Sequence, residues 1–111
     1  MIEKIILDYL SDALDVEVYM QQPDVKPARY VLIEKTGSRR QDWINHATIA
    51  LQSYAESMHV AALLNEEVKT AVDGIVALDK IGNARLNSDY NFTDTERKTY
   101  RYQAVYDITH Y

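Results

Sequence analysis

The stretch Lys98-Thr-Tyr-Arg-Tyr-Gln-Ala-Val-Tyr-Asp-Ile-Thr-His-Tyr111 decides the fold, because its side chains alternate between two characters. One set is mostly aromatic or aliphatic: Tyr100, Tyr102, Ala104, Tyr106 and Ile108. The other set is polar: Thr99, Arg101, Gln103, Asp107 and Thr109. Such alternation is typical of a β-strand with two different faces. A long strand exposes unpaired backbone donors and acceptors unless it has neighbours, so we expect this strand to lie within a sheet.

Composition limits the class of protein. The chain of 111 residues matches one domain, residues 1–111, and it is long enough to bury a core without disulfides, which it cannot form because it has no cysteine. Its net charge of −5 opposes non-specific attraction to nucleic-acid phosphates or to anionic lipid. An acid and a base within the first four residues argue against both a signal peptide and a membrane span. We therefore expect a soluble, unsecreted protein.

The period of the apolar residues changes along the first half of the chain. Helical spacing over Ile2–Leu14 predicts an amphipathic helix, and the alternation of Val16–Met20 predicts a short strand. Residues Arg29–Thr36 and Ala47–Gln52 have the β-branched and aromatic content of two further strands. The intervening segment, Gly37–His46, is interpreted as a loop too long for a tight hairpin turn.

A second helix is predicted from its start and stop signals. Ser53 and Glu56 have the spacing of a capping box, so the helix is expected over Tyr54–Asp73, and Gly74 is expected to end it in a left-handed conformation. A strand, a polar hairpin loop and the C-terminal strand follow: Asn83–Asn91, Phe92–Arg97 and Lys98–Tyr111. The resulting order, α-β-β-β-α-β-β, predicts a single α/β (α+β) domain whose sheet of about five strands carries two helices mainly on one face.

No pattern in the sequence indicates catalysis or a bound cofactor. His46, His59 and His110 are far apart and have none of the spacings that build a metal site. The three glycines are isolated, so no phosphate-binding loop is present. We expect a protein that is not an enzyme and that needs neither metal nor cofactor.

The segment Gly37–His46 is the candidate contact site, because tryptophan and arginine are the residues most enriched where binding energy concentrates. A second, acid-bearing candidate is the hairpin Asp89–Lys98. The interface residues expected in these two segments are Arg39, Arg40, Asp42, Trp43, Asp89, Asp94 and Glu96. An alternative stays open for the first segment, in which Trp43 folds back over the sheet and the arginines are merely solvated.

A nucleic-acid-binding interpretation is also considered. Residues 1–74 have the α-β-β-β-α order of a double-stranded RNA-binding domain, whose second helix begins with a lysine cluster that grips phosphates. The corresponding stretch here, Ser53–His59, has no lysine. Element order alone is weak evidence of function, so this interpretation is disfavoured.

Almost the whole chain resembles the tail terminator (tail-completion) proteins of long-tailed phages and prophages of low-GC Gram-positive bacteria. The strings that carry this resemblance are Val25-Lys-Pro-Ala-Arg-Tyr-Val-Leu-Ile-Glu-Lys-Thr-Gly37, Ile49-Ala-Leu-Gln-Ser-Tyr-Ala-Glu56, Leu86-Asn-Ser-Asp-Tyr-Asn-Phe-Thr-Asp94 and Tyr100-Arg-Tyr-Gln-Ala-Val-Tyr106.

The resemblance implies a structural protein that forms a homo-hexameric ring on the last ring of the tail tube, stops tube polymerisation and presents a surface to the head-side connector. DNA would pass through this ring without specific binding, and no membrane is involved. The protein would be assembled in the host cytoplasm and would lie at the head-proximal end of the tail in the virion. The alternative is a small non-enzymatic protein-binding module, or a head-tail connector component, that acts as a monomer or dimer.

Overall fold

The computed structural model describes every residue, Met1–Tyr111, and contains two α-helices, five β-strands and one short 3-10 turn. In chain order these are α1 (Ile2–Ala13), β1 (Glu17–Tyr19), β2 (Tyr30–Gln41), β3 (Ile44–Ala55), α2 (Met58–Asp73), the 3-10 turn (Ile75–Ala77), β4 (Ile81–Asn91) and β5 (Tyr100–His110). The strands form a single mixed sheet in the order β1-β2-β3-β5-β4, in which only β1 and β2 are parallel. The predicted α+β fold with its two helices and five-stranded sheet is confirmed.

The C-terminal strand lies inside the sheet, as its alternation predicts. β5 pairs with β3 on one side and with β4 on the other. Ala104, Tyr106 and Ile108 are buried, because they face the helices. Because β5 is hydrogen-bonded on both edges, its backbone groups are satisfied along nearly its whole length.

The core lies between the helices and one face of the sheet. Each helix contributes a buried stripe at helical spacing: Ile2, Ile6 and Leu10 from α1, and Leu64, Val68 and Val72 from α2. The sheet side of this core is built from alternate residues of the strands: Val31, Ile33, Ile49, Leu51, Ala104, Tyr106 and Ile108. The opposite face of the sheet has no helix on it, and we call it the open face.

The expected loop over Gly37–His46 is wrong. β2 and β3 remain paired up to Gln41 and Ile44, and only Asp42 and Trp43 form the turn between them. Both turn residues have positive φ, 52° and 69°, which is the backbone of the two-residue turns that suit the twist of a hairpin. This segment has no apolar alternation because the ladder is held by backbone hydrogen bonds, which exposed polar residues make equally well.

The expected start of the second helix is also wrong. Ser53 lies within β3 and is fully buried, and the N-cap is Ser57, whose Oγ accepts a hydrogen bond from the backbone N–H of Val60 at 3.2 Å. Residues Ser53–Ala55 pair with Tyr100–Tyr102 of β5. Backbone hydrogen bonds to β5, which is distant in sequence, therefore keep Ser53 in a strand despite its capping-box spacing.

Gly74 ends the second helix for a reason different from the one expected. Its φ of −89° is right-handed, so no left-handed position is needed. The Tyr9 hydroxyl donates a hydrogen bond to the carbonyl of Ala71 at 2.7 Å, and a Cβ built on Gly74 would lie 2.8 Å from that hydroxyl oxygen. Glycine leaves room for the Tyr9 hydroxyl against the end of α2, and a Cβ would push this hydroxyl out of its present position.

Candidate interaction surfaces

The turn between β2 and β3, together with the end of β2, forms an exposed hairpin tip, residues 39–43. Trp43 is 83% exposed, and the guanidinium carbon of Arg40 lies 5.2 Å from the centre of its ring. The Arg39 Nη1 donates a hydrogen bond to the Gln41 Oε1 at 2.8 Å. Trp43 therefore projects into solvent and does not fold back over the sheet. An exposed tryptophan beside arginines is a typical composition for a contact surface.

The loop between β4 and β5 is the second candidate surface. It is closed by two backbone hydrogen bonds between Asp94 and Thr99, each 3.0 Å long, and the Asp94 Oδ1 also accepts from the backbone N–H of Arg97. Glu96 and Lys98 are exposed. Two acids and two bases fall between Phe92 and Thr99, so this loop is balanced in charge rather than acidic.

Asp89 lies apart from that loop, on the helix-covered side of β4. Its Oδ1 accepts a hydrogen bond from the Asn65 Nδ2 at 2.6 Å, and its Oδ2 lies 2.5 Å from the Lys69 Nζ. Hydrogen bonds to Asp89 and Glu66 raise the pKa of Lys69, so the ammonium group stays charged. The carboxylate of Asp89 is already paired within its own chain.

The two hairpins lie at opposite ends of the sheet. At one end Asn45 of β3, close to the tip, is paired with His110, and at the other end Ala55 is paired with Tyr100. Ten residue steps separate these two end pairs, which places the two surfaces roughly 34 Å apart at the rise of an antiparallel strand. The structure therefore brings the tip residues together, and it keeps them away from Asp89, Asp94 and Glu96.

The open face carries a hydrogen-bonded row of tyrosine and glutamine side chains that crosses four strands, and sequence analysis missed it. From β2 to β4 the members are Tyr30, Gln22, Tyr54, Gln52, Gln103 and Tyr90, joined by five hydrogen bonds of 2.5–2.9 Å. Gln52 and Gln103 are only 5% and 8% exposed although no helix covers them. The rings of Tyr30 and Tyr54 stack at 4.5 Å. The alternation of Ala50, Gln52 and Tyr54 along β3 is the signal that could have revealed it.

The net negative charge belongs to the helix layer. Residues 1–16 and 57–80, which contain both helices and their connections, carry eight acids and three bases. The remaining residues, which include all five strands, carry nine of each. The sheet and its hairpins therefore carry equal numbers of acidic and basic residues, and the outer helical surface is the acidic side of the molecule.

The histidines are dispersed. His46 lies on the open face, with its Nδ1 3.5 Å from the Thr109 Oγ1, whereas His59 is exposed in the first turn of α2. Burial, together with the charge of Lys35, lowers the pKa of His110 below its usual value. The neutral form of that imidazole is thus favoured in the folded protein.

Several further observations concern other classes of function. No group of three or more histidine, cysteine, aspartate or glutamate side chains is arranged to hold a metal ion. Neither helix is long and apolar enough to cross a membrane. No protein-family model and no curated protein matches the chain in sequence comparisons.

Proposed function

We propose that this chain is a phage tail terminator subunit, which forms a six-membered ring on the end of the tail tube, stops tube polymerisation and provides the head-joining surface. The observation that carries the proposal is the displayed hairpin tip, where Arg40 and Trp43 project from an otherwise polar end of the sheet. The resemblance of the four sequence strings to tail terminators supplies the kind of assembly.

A ring needs two different, complementary patches on each subunit, because only head-to-tail contacts close into a six-membered ring. A surface that is repeated on both partners would give a closed dimer instead. The two sides of the subunit are unlike each other: the tip, with Arg39 and Arg40, lies at the end of β2, whereas β4 is the strand at the opposite edge of the sheet. This arrangement supports head-to-tail association rather than a symmetric pair.

The tip supplies the binding energy of a contact. A tryptophan buries about 150–250 Å² of surface, so covering the 83%-exposed Trp43 contributes roughly 3–5 kcal/mol before the costs of association. Carboxylates of the neighbouring subunit would pair with Arg39 and Arg40, and such pairs matter most when they are desolvated at the centre of an interface.

The charge distribution supports passage of DNA through the ring. The helix layer carries the whole net charge of −5, and no strand or hairpin contains a long run of lysine or arginine. Phosphates therefore find no strongly basic surface to bind, which suits a conduit rather than a nucleic-acid-binding site. The partners in this function are further copies of the chain, the tail tube protein and the head-side connector protein.

The test combines electron microscopy with tail tubes assembled from the tube protein of the same phage. Wild-type protein is expected to form rings at tube ends and to hold tube length constant. The variant Arg39→Glu/Arg40→Glu should cap tubes poorly, with a nearly unchanged melting temperature, because exposed arginines add little to the core. A matched control, Lys26→Glu, reverses one charge at an exposed site at the opposite end of the sheet and is compared with Arg40→Glu alone.

Three outcomes are distinguishable. If the wild-type protein forms no ring and leaves tube growth unaffected, the tail terminator proposal is wrong. If it instead binds the head-side connector as a monomer or dimer, the binding-module alternative holds. If the charge-reversed tip variant caps tubes as the wild-type protein does, the ring contacts lie elsewhere on the molecule.

A further inference from the structure

Both edges of the sheet are open over long stretches. β1 covers only Tyr30–Leu32 of β2, so the outer edge of β2 is unpaired over Ile33–Gln41. β4 is the other edge strand and pairs only with β5 along its whole length, Ile81–Asn91. Unpaired strand edges of this length offer backbone donors and acceptors to another strand.

The two open edges lie at the same height in the sheet. Following the pairing from strand to strand, Arg39 is level with His46, then Thr109, then Asn83. In the same way Ile33–Arg39 of β2 is level with Asn83–Asp89 of β4, which is seven residues on each edge. Two copies standing side by side at one height would therefore bring these two stretches into register.

One irregularity of each edge adjoins the same row of the sheet, and β4 has a second register shift, between Ile81 and Asn83, at the end of the matched stretch. The register of β2 shifts between Lys35 and Gly37, and that of β4 shifts between Leu86 and Ser88. Lys35 and Leu86 stand in one row across the sheet, through Ile49 and Tyr106. A bulge bends an edge and usually hinders pairing with a straight strand, but two edges that bend at the same height remain parallel to each other.

Strand direction also fits cyclic symmetry. β2 and β3, β3 and β5, and β5 and β4 are all antiparallel, so β2 and β4 of one chain run in opposite directions. When copies that all point the same way along a ring axis stand side by side, β2 of one meets β4 of the next as an antiparallel pair, which makes the more stable ladder. The contact is head-to-tail, as a ring requires.

The residues of β4 favour pairing with another strand over exposure of this edge to water. Edge strands of monomeric proteins are commonly protected by lysine, by proline or by being short. β4 has eleven residues, no lysine and no proline, and its charged residues are Arg85 and Asp89. Asp89 is turned toward Lys69, and Leu86 is 42% exposed at this edge.

From these observations we infer that the seam between ring neighbours is a continuous β-sheet, in which the free edge of β2 in one copy pairs antiparallel with β4 of the next copy at the same height. The inference rests on the proposed ring and names its interface. Arg39 and Arg40, being residues of β2, lie along this seam, with Trp43 at its end.

Cysteine cross-linking tests the seam cleanly, because the chain has no cysteine of its own. Within one chain β2 and β4 are three strand spacings apart, about 14 Å, which no disulfide can bridge. Any disulfide between them must therefore join two copies. The test pairs are Arg39→Cys with Asn83→Cys and Gly37→Cys with Arg85→Cys, since each pair shares the open face and one height, and a Cβ on Gly37 meets no other atom within 4 Å.

Each pair is placed in one chain, and the protein is oxidised under the conditions in which the wild-type protein forms rings on tubes. Most chains are expected in a ladder of up to six on a non-reducing gel. Mixing the two single variants should give two-chain species only. In the control, Arg40→Cys with Asn83→Cys, the residues lie on opposite faces of the sheet, so the chains should stay unlinked.

The outcomes separate this inference from the proposed function. Rings that form without links in either test pair, or with equal links in the control, overturn the edge-to-edge seam and leave the tail terminator proposal standing. Links that never exceed two chains in the double variant overturn the ring seam in favour of a closed dimer. If wild-type protein forms no rings and caps no tubes, the proposed function fails and this interface fails with it.

Discussion

The hydrogen bond between Gln52 and Gln103 is expected to couple the two central strands of the open face. The Gln52 Nε2 donates to the Gln103 Oε1 at 2.8 Å. Each glutamine makes one further bond, since Gln52 accepts from the Tyr54 hydroxyl and Gln103 donates to the Tyr90 hydroxyl. Both side chains are nearly buried, so water replaces these bonds poorly after truncation.

The magnitude follows from counting bonds. Gln52→Ala and Gln103→Ala each remove two hydrogen bonds, which should cost about 2 kcal/mol at ~1 kcal/mol per bond, or roughly 10 °C in melting temperature. The double variant removes three bonds rather than four, because the central bond is shared. Its cost should therefore be about 3 kcal/mol, which leaves a coupling energy of ~1 kcal/mol.

The assay is urea unfolding of the four proteins of the double-mutant cycle, at a concentration where the chain is monomeric. Gln21→Ala is the control, because Gln21 is exposed and should change the free energy of unfolding by less than about 0.5 kcal/mol. If the two truncations are additive within ~0.3 kcal/mol, the central bond contributes nothing and the row is not a cooperative network.

Three further predictions concern the strands, the helix cap and pH. Deleting Tyr100–Tyr111 should abolish cooperative unfolding because β5 pairs with both β3 and β4, and one sharp thermal transition with unchanged circular dichroism would contradict this. Ser57→Ala should lower the free energy of unfolding by about 1 kcal/mol in urea, because Ser57 caps α2. Ser53→Ala should leave it unchanged or raise it, because the buried Oγ of Ser53 has no hydrogen-bond partner. If Ser53→Ala costs more than Ser57→Ala, Ser53 is the N-cap after all. Because the pKa of His110 is lowered from its usual 6.5, its contribution to stability is complete above about pH 6.5 and declines as the pH falls through its folded-state value. His110→Gln should flatten the stability profile below about pH 6.5, and an unchanged profile would exclude this residue as its cause.

The candidate site was predictable only in part. Arg39, Arg40 and Trp43 indicated a contact surface in Gly37–His46, because these residue types are enriched where binding energy concentrates. The form of that segment was not predictable, because its polar residues lack the alternation by which strands are recognised. The pairing of Asp89 with Lys69 joins two elements distant in sequence, and no local pattern reports it.

The sequence by itself determined the kinds of elements and their order. The helical spacing of apolar residues in Ile2–Leu14 and their alternation in Lys98–Tyr111 depend only on residues that are close in the chain. Tertiary structure alone decided where the elements end, since β5 draws Ser53 into a strand and the ladder continues to Gln41. It alone also assembled the tyrosine–glutamine row and left two matched edges open. The physical reason is that backbone pairing and buried hydrogen bonds join residues far apart in the chain, whereas periodicity records only which face of its own element a residue occupies.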